Sequence, residues 1–135
     1  MTHIINSLDE ISHHYDALFV DLWGCVHNGI VAYTAAVEAL IEYRKNGGKV
    51  VLVTNSPKPR IGVEKQLLHF NVPKICYDTV ATSGDSARVA MFTGVVGKKI
   101  FFIGEPRDQL FFEPISIIKS PIKIEQVSIQ NAEGI

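Results

Sequence analysis

The sequence predicts an α/β fold built on a parallel sheet. Three observations carry that expectation. Residues 17–20 form a short apolar run that ends in one carboxylate, Asp21, followed by a glycine-containing turn. Residues 49–53 form a second apolar run, ending in Thr54-Asn55-Ser56-Pro57. Between them, residues 33–46 carry apolar side chains at helical spacing, and Gly47-Gly48 closes that segment. Strand, helix and strand with short links form a right-handed parallel crossover with few exceptions. Asp21 and Thr54 should therefore share the carboxyl edge of the sheet, where open α/β sheets bind their ligands.

Each element has its own local signal. Residues 7–15 read as a short helix, with Ser7 as N-cap and Glu10 completing a capping box. The first strand, 17–20, has the continuous apolar character of a strand buried on both faces. In the helix 33–46, Ala36, Val37, Leu40, Ile41 and Tyr43 face inward, and Glu38, Glu42, Arg44 and Lys45 face water. Glycine ends it because it tolerates a left-handed C-cap. A further helix is expected over 57–70, with Val63, Leu67, Leu68 and Phe70 inward and Asn71-Val72-Pro73 as its stop. Residues 79–81 are a third strand. Thr82-Ser83-Gly84-Asp85 caps a helix running to about Phe92, and residues 99–104 are a fourth strand. Pro106, Pro114 and Pro121 fragment the carboxyl-terminal part of the chain, where 115–118 and 122–124 are short apolar pieces able to form strands. Gly94 to Gly97 is a break in the chain, between residues 1–96 and 97–135.

Composition excludes several classes of function. At 135 residues with 47% hydrophobic and 20% charged content, the chain suits one globular core. A net charge of −1 gives no electrostatic case for nucleic acid or an anionic membrane surface. No apolar run reaches the length of a spanning helix. The start, Met1 to Ser7, lacks the basic and apolar regions of a secretory signal. Two cysteines are too few for a disulfide framework, so a reduced, cytoplasmic setting is expected.

Asp21 is the candidate reactive group. A carboxylate at one strand end, facing hydroxyls and turn N–H groups at another, suits a phosphate site. Carboxylate and phosphate repel unless a cation lies between them, and Mg²⁺ is the hard ion that takes oxygen ligands from both. With Mg²⁺ present the carboxylate can attack phosphorus and form an aspartyl-phosphate. A solvated loop aspartate or a helix cap is the plainer alternative.

Asp21-Leu22-Trp23-Gly24-Cys25-Val26-His27-Asn28-Gly29, then Thr54-Asn55-Ser56-Pro57, then Thr82-Ser83-Gly84-Asp85 resembles the N-terminal half of the haloacid dehalogenase superfamily. Within it the chain resembles the NagD-like, p-nitrophenylphosphatase-like subgroup, class IIA. The resemblance covers residues 15 to 105. It implies a Rossmann-like, parallel three-layer α/β/α core, of which this chain is the N-terminal half, with an inserted α/β cap beginning near Gly97. It implies Asp21 as nucleophile and Mg²⁺ ligand, the Trp23 backbone carbonyl as a second ligand, and Thr54 with the Asn55 amide as phosphate binders. It also implies a small phosphorylated metabolite as substrate. Two departures accompany it. Family members usually carry a second Asp two residues after the nucleophile as general acid and base, and this chain has Trp23 there. The Lys and later Asp residues that complete the family's site have no counterpart, so the chain reads as a truncated member whose first strand has an open, apolar edge.

The other reactive residue types weigh less. Cys25 lacks the Arg six residues on that a cysteine phosphatase loop needs, Val31 standing there, and reads as a small buried thiol. His13 and His14 are adjacent and point apart on a helix. His27 lies near Asp21 and could handle protons or substrate, or be a packed loop histidine. His69 reads as a helix-surface residue. Lys58 and Arg60 come just after the phosphate-site candidate and could meet an anionic substrate, or be a solvated first helical turn. The pairs Phe101-Phe102 and Phe111-Phe112 read as core and cap packing. No P-loop or dinucleotide glycine pattern occurs. The expected function is Mg²⁺-dependent phosphate monoester hydrolysis. The alternatives are a non-catalytic relative acting through binding or homodimer contacts, and a chemically different reaction of the same superfamily.

Overall fold

A computed structural model describes residues 4–135 of the chain; Met1 to His3, part of the stretch read for a secretory signal, lie outside the described residues. Three strands form the main sheet: β1 (Ala17–Asp21), β2 (Lys49–Thr54) and β3 (Thr79–Thr82), in the order β1-β2-β3. The helices are α1 (Asp9–Ser12), α2 (Thr34–Lys45), α3 (Arg60–His69) and α4 (Ser83–Phe92). β1 and β2 are parallel, with Ala17 paired to Lys49 and Asp21 to Val53. This is the parallel α/β arrangement that the strand–helix–strand pattern predicts, and the Rossmann-like core that the resemblance implies.

The described residues form two compact units. The first holds the residues up to Thr54 together with Ile61–Ala81. Its core joins Val50 and Leu52 of β2 and Val80 of β3 to Leu40 and Tyr43 of α2 and to Val63 and Leu67 of α3. Each such side chain contributes about 1.5–3 kcal/mol when fully buried. The spacing of Val63, Leu67 and Phe70 sets the inner stripe of α3. Polar ties lock the α2 end: Tyr43 Oη donates to the Tyr15 carbonyl at 2.7 Å, and Arg44 pairs with Asp78 at 3.0 Å. Asp78 also accepts the Val50 N–H at 2.8 Å. That bond, with Arg44 and Lys49 nearby, holds its carboxyl below the usual range.

The second unit comprises Asn55–Arg60 and Thr82–Ile135. Thr82 caps α4, its hydroxyl accepting the Asp85 N–H at 2.9 Å. Gly84 passes so close to the Pro57 and Lys58 carbonyls that a Cβ would overlap them, and its N–H donates to the Ser56 carbonyl at 3.1 Å. Met91, Phe92 and Ile100 form a small core with Phe111, Phe112, Ile118 and Ile124 packed on it. The phenylalanine pairs are packing residues, as expected: Phe102 meets Phe112 edge-on at 5.1 Å. Buried Arg88 ties α4 to the segment after it, donating to the Phe111 and Glu113 carbonyls and pairing with Asp85 at 2.9 Å.

Several expectations are corrected. β1 is not buried on both faces: Leu18 and Val20 pack on the core, while Phe19 is 78% exposed. No described element covers the Phe19 face, so an apolar run reads as doubly buried while folding as an edge strand. α1 is one turn long and begins after Leu8, without a Ser7 cap; only the Glu10 half of the box forms, accepting the Asn6 and Ser7 N–H groups. α3 starts at Arg60 rather than near residue 57, because Pro59 disfavours helical backbone at Lys58. Leu68 is exposed, lying off the stripe of Val63 and Leu67. The fourth strand shrinks to β4 (Lys99–Ile100), which pairs in parallel with β5 (Glu125–Gln126) in a separate two-stranded sheet. The Glu133 carboxylate takes the Lys98 and Lys99 N–H groups, and the Gly134 carbonyl takes that of Phe101, so a longer ladder does not form. The pieces 115–118 and 122–124 are not strands.

Candidate active site at the carboxyl end of the sheet

β1 ends at Asp21 and β2 at Thr54, and the two strands run the same way. Asp21 is opposite Val53, so Thr54 lies one residue beyond it on the neighbouring strand. Asp21 is exposed, and Thr54 is half-buried. Asp21 Oδ1 accepts the Leu22 N–H at 2.8 Å, which fixes the carboxylate against the turn and leaves Oδ2 for a ligand. Asn55 comes directly after Thr54 and is exposed, and Ser56 Oγ accepts the Lys58 N–H at 3.3 Å.

The chain from Leu22 to Tyr33 folds into a compact flap. Val26 and His27 donate backbone N–H groups to the Leu22 carbonyl, and Gly24 donates to that of His27 at 2.9 Å. Gly24 and Gly29 have φ of 79° and 88°, where side chains are strained, so the turn needs glycine at both places. Tyr33 N–H returns to the Val26 carbonyl at 2.8 Å and closes the loop. Cys25 sits in this turn and is exposed, correcting the expectation of a buried thiol; Cys76 is the buried one.

His27 is a packed loop histidine, one of the two readings the sequence allowed. It is 5% exposed, with its ring 4.8 Å from that of Phe70 and 5.9 Å from that of Trp23. Its Nδ1 accepts the Gly29 N–H at 3.0 Å, so the neutral ring carries its hydrogen on Nε2. Burial pushes its pKa down, with the negative charge of Asp21 opposing that shift. In the sequence His27 was legible only as a neighbour of Asp21; its anchoring depends on Phe70, 43 positions away, which local sequence does not reveal.

The donor set fits a hard cation. Asp21 supplies a carboxylate oxygen. Among the described residues no hydrogen bond ends on the Trp23 carbonyl, the second ligand that the resemblance implies. Two protein oxygens suit Mg²⁺, which keeps several of its waters. Among the described residues no group of three or more His, Cys, Asp or Glu gathers as a metal cage. His69 is an exposed surface residue, as expected, and Lys58 is exposed. A cleft of about 640 Å³ lined by Asp9, His13, Asp16, Tyr43 and Lys49 lies at the opposite, amino end of β1 and β2. It contains none of the residues that the strand ends bring together.

Residues 18–115 match the family model of haloacid dehalogenase-like hydrolases. The chain belongs to that family. A crystal structure of a haloacid dehalogenase-like hydrolase from Brucella suis 1330 is similar to it at 36% identity and a TM-score of 0.81. That match covers 96% of this chain and 46% of the Brucella protein, so the chain spans less than half the length of this relative. No curated protein matches the sequence. Membership makes the chain a hydrolase-family α/β protein, and its matched region contains the whole Asp21–Thr54 edge. No helix among the described residues is long and apolar enough to cross a membrane.

Proposed function

We propose that this haloacid dehalogenase-like chain contributes the nucleophile half of a Mg²⁺-dependent phosphate monoester hydrolase of the NagD-like, class IIA type. One observation carries the reading: the parallel register that sets Thr54 one residue beyond Asp21 at the carboxyl edge. Asp21 Oδ2 attacks phosphorus, and the leaving group departs with its electron pair. Water then attacks the phosphoryl group, releasing phosphate and restoring the carboxylate. Thr54 Oγ1 and the Asn55 N–H hold phosphoryl oxygens. Asp21 and the Trp23 carbonyl would hold Mg²⁺, which would offset the like charges of carboxylate and phosphate when bound. The substrate is a small phosphorylated metabolite in the cytoplasm, with residues 97–135 beginning the cap.

The experiment is turnover of p-nitrophenyl phosphate with and without Mg²⁺. The chain, joined to the second half that its longer relative carries, turns it over only with Mg²⁺, and Asp21→Asn does not. Turnover unaffected by that substitution sinks the nucleophile assignment.

A second reading is favoured by the uncovered Phe19 face of β1. There the chain is a non-catalytic relative that binds a second copy of itself. It predicts a dimer by sedimentation and no phosphatase activity with any ester.

A further inference from the structure

We propose that Gly84 is a positioning residue for phosphoryl binding: it seats the turn that carries Asn55, and any side chain at 84 unseats that turn. The proposal rests on the reading of Asn55 as a phosphate binder. It goes beyond that reading to a residue that sets affinity without touching the ligand.

The turn and the helix hold each other. Asn55–Arg60 and Thr82–Ile135 belong to one compact unit, so the turn after β2 and the start of α4 fold together. Gly84 is buried in the first turn of α4. Its N–H donates to the Ser56 carbonyl at 3.1 Å. That N–H is among the first four of the helix, which have no partner inside it. Ser56 thus caps α4, and α4 fixes Ser56. Thr82 completes the cap, its hydroxyl accepting the Asp85 N–H at 2.9 Å.

The fit leaves no room for a side chain. A Cβ at Gly84 would overlap the Pro57 carbonyl oxygen and meet that of Lys58 at 2.6 Å. Both obstacles are backbone atoms, which cannot swing aside as a side-chain tip does. Ordinary contact begins at about 3.5 Å, so the turn would have to retreat by roughly 1 Å. The helix is the firmer side. Arg88 ties it to the Phe111 and Glu113 carbonyls, and Met91 and Phe92 are buried in the small core. The turn is also stiff. Pro57 and Pro59 fix their own φ and restrict the residue before each, so residues 56–59 are all constrained. The Lys58 N–H adds a bond to Ser56 Oγ at 3.3 Å. Such a turn moves as one piece, and Asn55 is joined directly to it.

Phosphate affinity follows from that placement. An N–H···O bond spans a narrow range of distances and weakens steeply as its angle closes. A displacement of roughly 1 Å therefore takes the Asn55 N–H out of reach of a phosphoryl oxygen. The bond lost is charge-assisted, the stronger kind. Gly84 acts through Asn55, so it is not a catalytic residue. A glycine needed only for packing costs stability when it is replaced. A positioning glycine also costs phosphate affinity, beyond what an equally destabilising change elsewhere on α4 costs.

The experiment titrates the isotope-labelled chain with inorganic phosphate at constant Mg²⁺ and follows the Asn55 backbone amide by NMR. Gly84→Ala is measured beside Met91→Ala, which removes a buried side chain farther along the same helix. Phosphate should shift the wild-type Asn55 amide saturably. Gly84→Ala should weaken phosphate roughly 10- to 100-fold, the loss of one hydrogen bond to a charged group. Met91→Ala should leave phosphate affinity within about 2-fold, since it shares no partner with the turn. A measurement on wild type alone covers the case in which Gly84→Ala does not fold. Coupling is reciprocal, so phosphate should slow hydrogen exchange of the Gly84 amide more than that of Met91. Wild-type affinity in Gly84→Ala, equal weakening in both variants, or unchanged Gly84 exchange overturns the positioning role and leaves the Asn55 reading intact. A wild-type Asn55 amide that phosphate does not shift overturns that reading and the positioning role with it.

Discussion

Asp21 pairs with Val53 across a parallel ladder, and this one register relation puts Thr54 one residue beyond Asp21 at the carboxyl edge. Moving either strand by one residue would turn its side chains to the other face. The register is held by the core face, where Val50 and Leu52 are buried beside partly buried Leu18 and Val20. Thr54→Val keeps the shape of the strand end and removes one hydroxyl. A hydrogen bond to a charged group contributes about 1.5–3 kcal/mol, so kcat/KM for p-nitrophenyl phosphate should fall roughly 10- to 150-fold. Steady-state kinetics on the variant provide the check.

Stability should respond to acid in two separate windows. Burial lowers the His27 pKa below its ordinary value of 6.5, so the unfolded chain binds this proton more readily than the folded one. His27 therefore costs no stability above pH 6.5, and stability falls as pH drops from there toward the lower folded value. Asp78 behaves in the opposite sense. Its folded pKa is below 3.8, so its contribution is present above that value and is lost as pH falls through the folded one. Urea midpoints should decline first between about pH 7 and 5, with that step absent in His27→Gln, and again in strong acid, with the second step reduced in Asp78→Asn.

The two faces of the sheet should respond differently to substitution. Leu67→Ala removes a fully buried side chain of the α3 stripe and should cost about 2–5 kcal/mol. Phe19→Asn acts on an open face and should change stability by about 0.5 kcal/mol or less. It should also reduce self-association through the uncovered apolar surface around Phe19 and Val53, the latter 40% exposed. Denaturant titration and light scattering on the two variants give both answers.

The contrast between these faces marks what the sequence could reveal. Lys49–Thr54, Thr34–Lys45 and the cap at Thr82 were legible, because apolar runs, helical spacing, Gly47 and a hydroxyl before an acidic first turn are local signals. The Asp21–Thr54 edge was legible for the same reason, since short links leave a parallel pair one topology. Phe19 was not, because an apolar run reads alike whether its outer face is covered or bare. Lys99–Ile100 stayed short, and the next donor, the Phe101 N–H, goes to the carbonyl of Gly134, far along the chain. The fixing of His27 likewise depended on a tertiary neighbour, Phe70.

Gly29→Ala tests how the flap holds its aromatic ring. The added methyl overlaps the indole, and the φ of 88° strains any side chain there. Backbone strain of this kind costs about 1–3 kcal/mol. The variant should lose stability in that range and shift the emission of Trp23 as the ring is displaced. Unchanged emission would show that the ring does not rest on Gly29.

Trp23→Asp places a carboxylic acid where a leaving oxygen needs a proton. Turnover of alkyl phosphates should rise relative to aryl phosphates, because the poorer leaving groups gain most from protonation. General acid catalysis contributes about 10²–10⁴-fold, so even partial recovery is measurable in a coupled phosphate-release assay.

The proposed hydrolysis requires Asp21 to accept a phosphoryl group. Acid-quenched reactions of the chain with p-nitrophenyl phosphate and Mg²⁺, digested and read by mass spectrometry, test this directly. The expected result is one added phosphoryl group on the peptide containing Asp21, absent without Mg²⁺ and absent in Asp21→Asn. Phosphoryl transfer to another residue, or turnover that persists in Asp21→Asn, would contradict it.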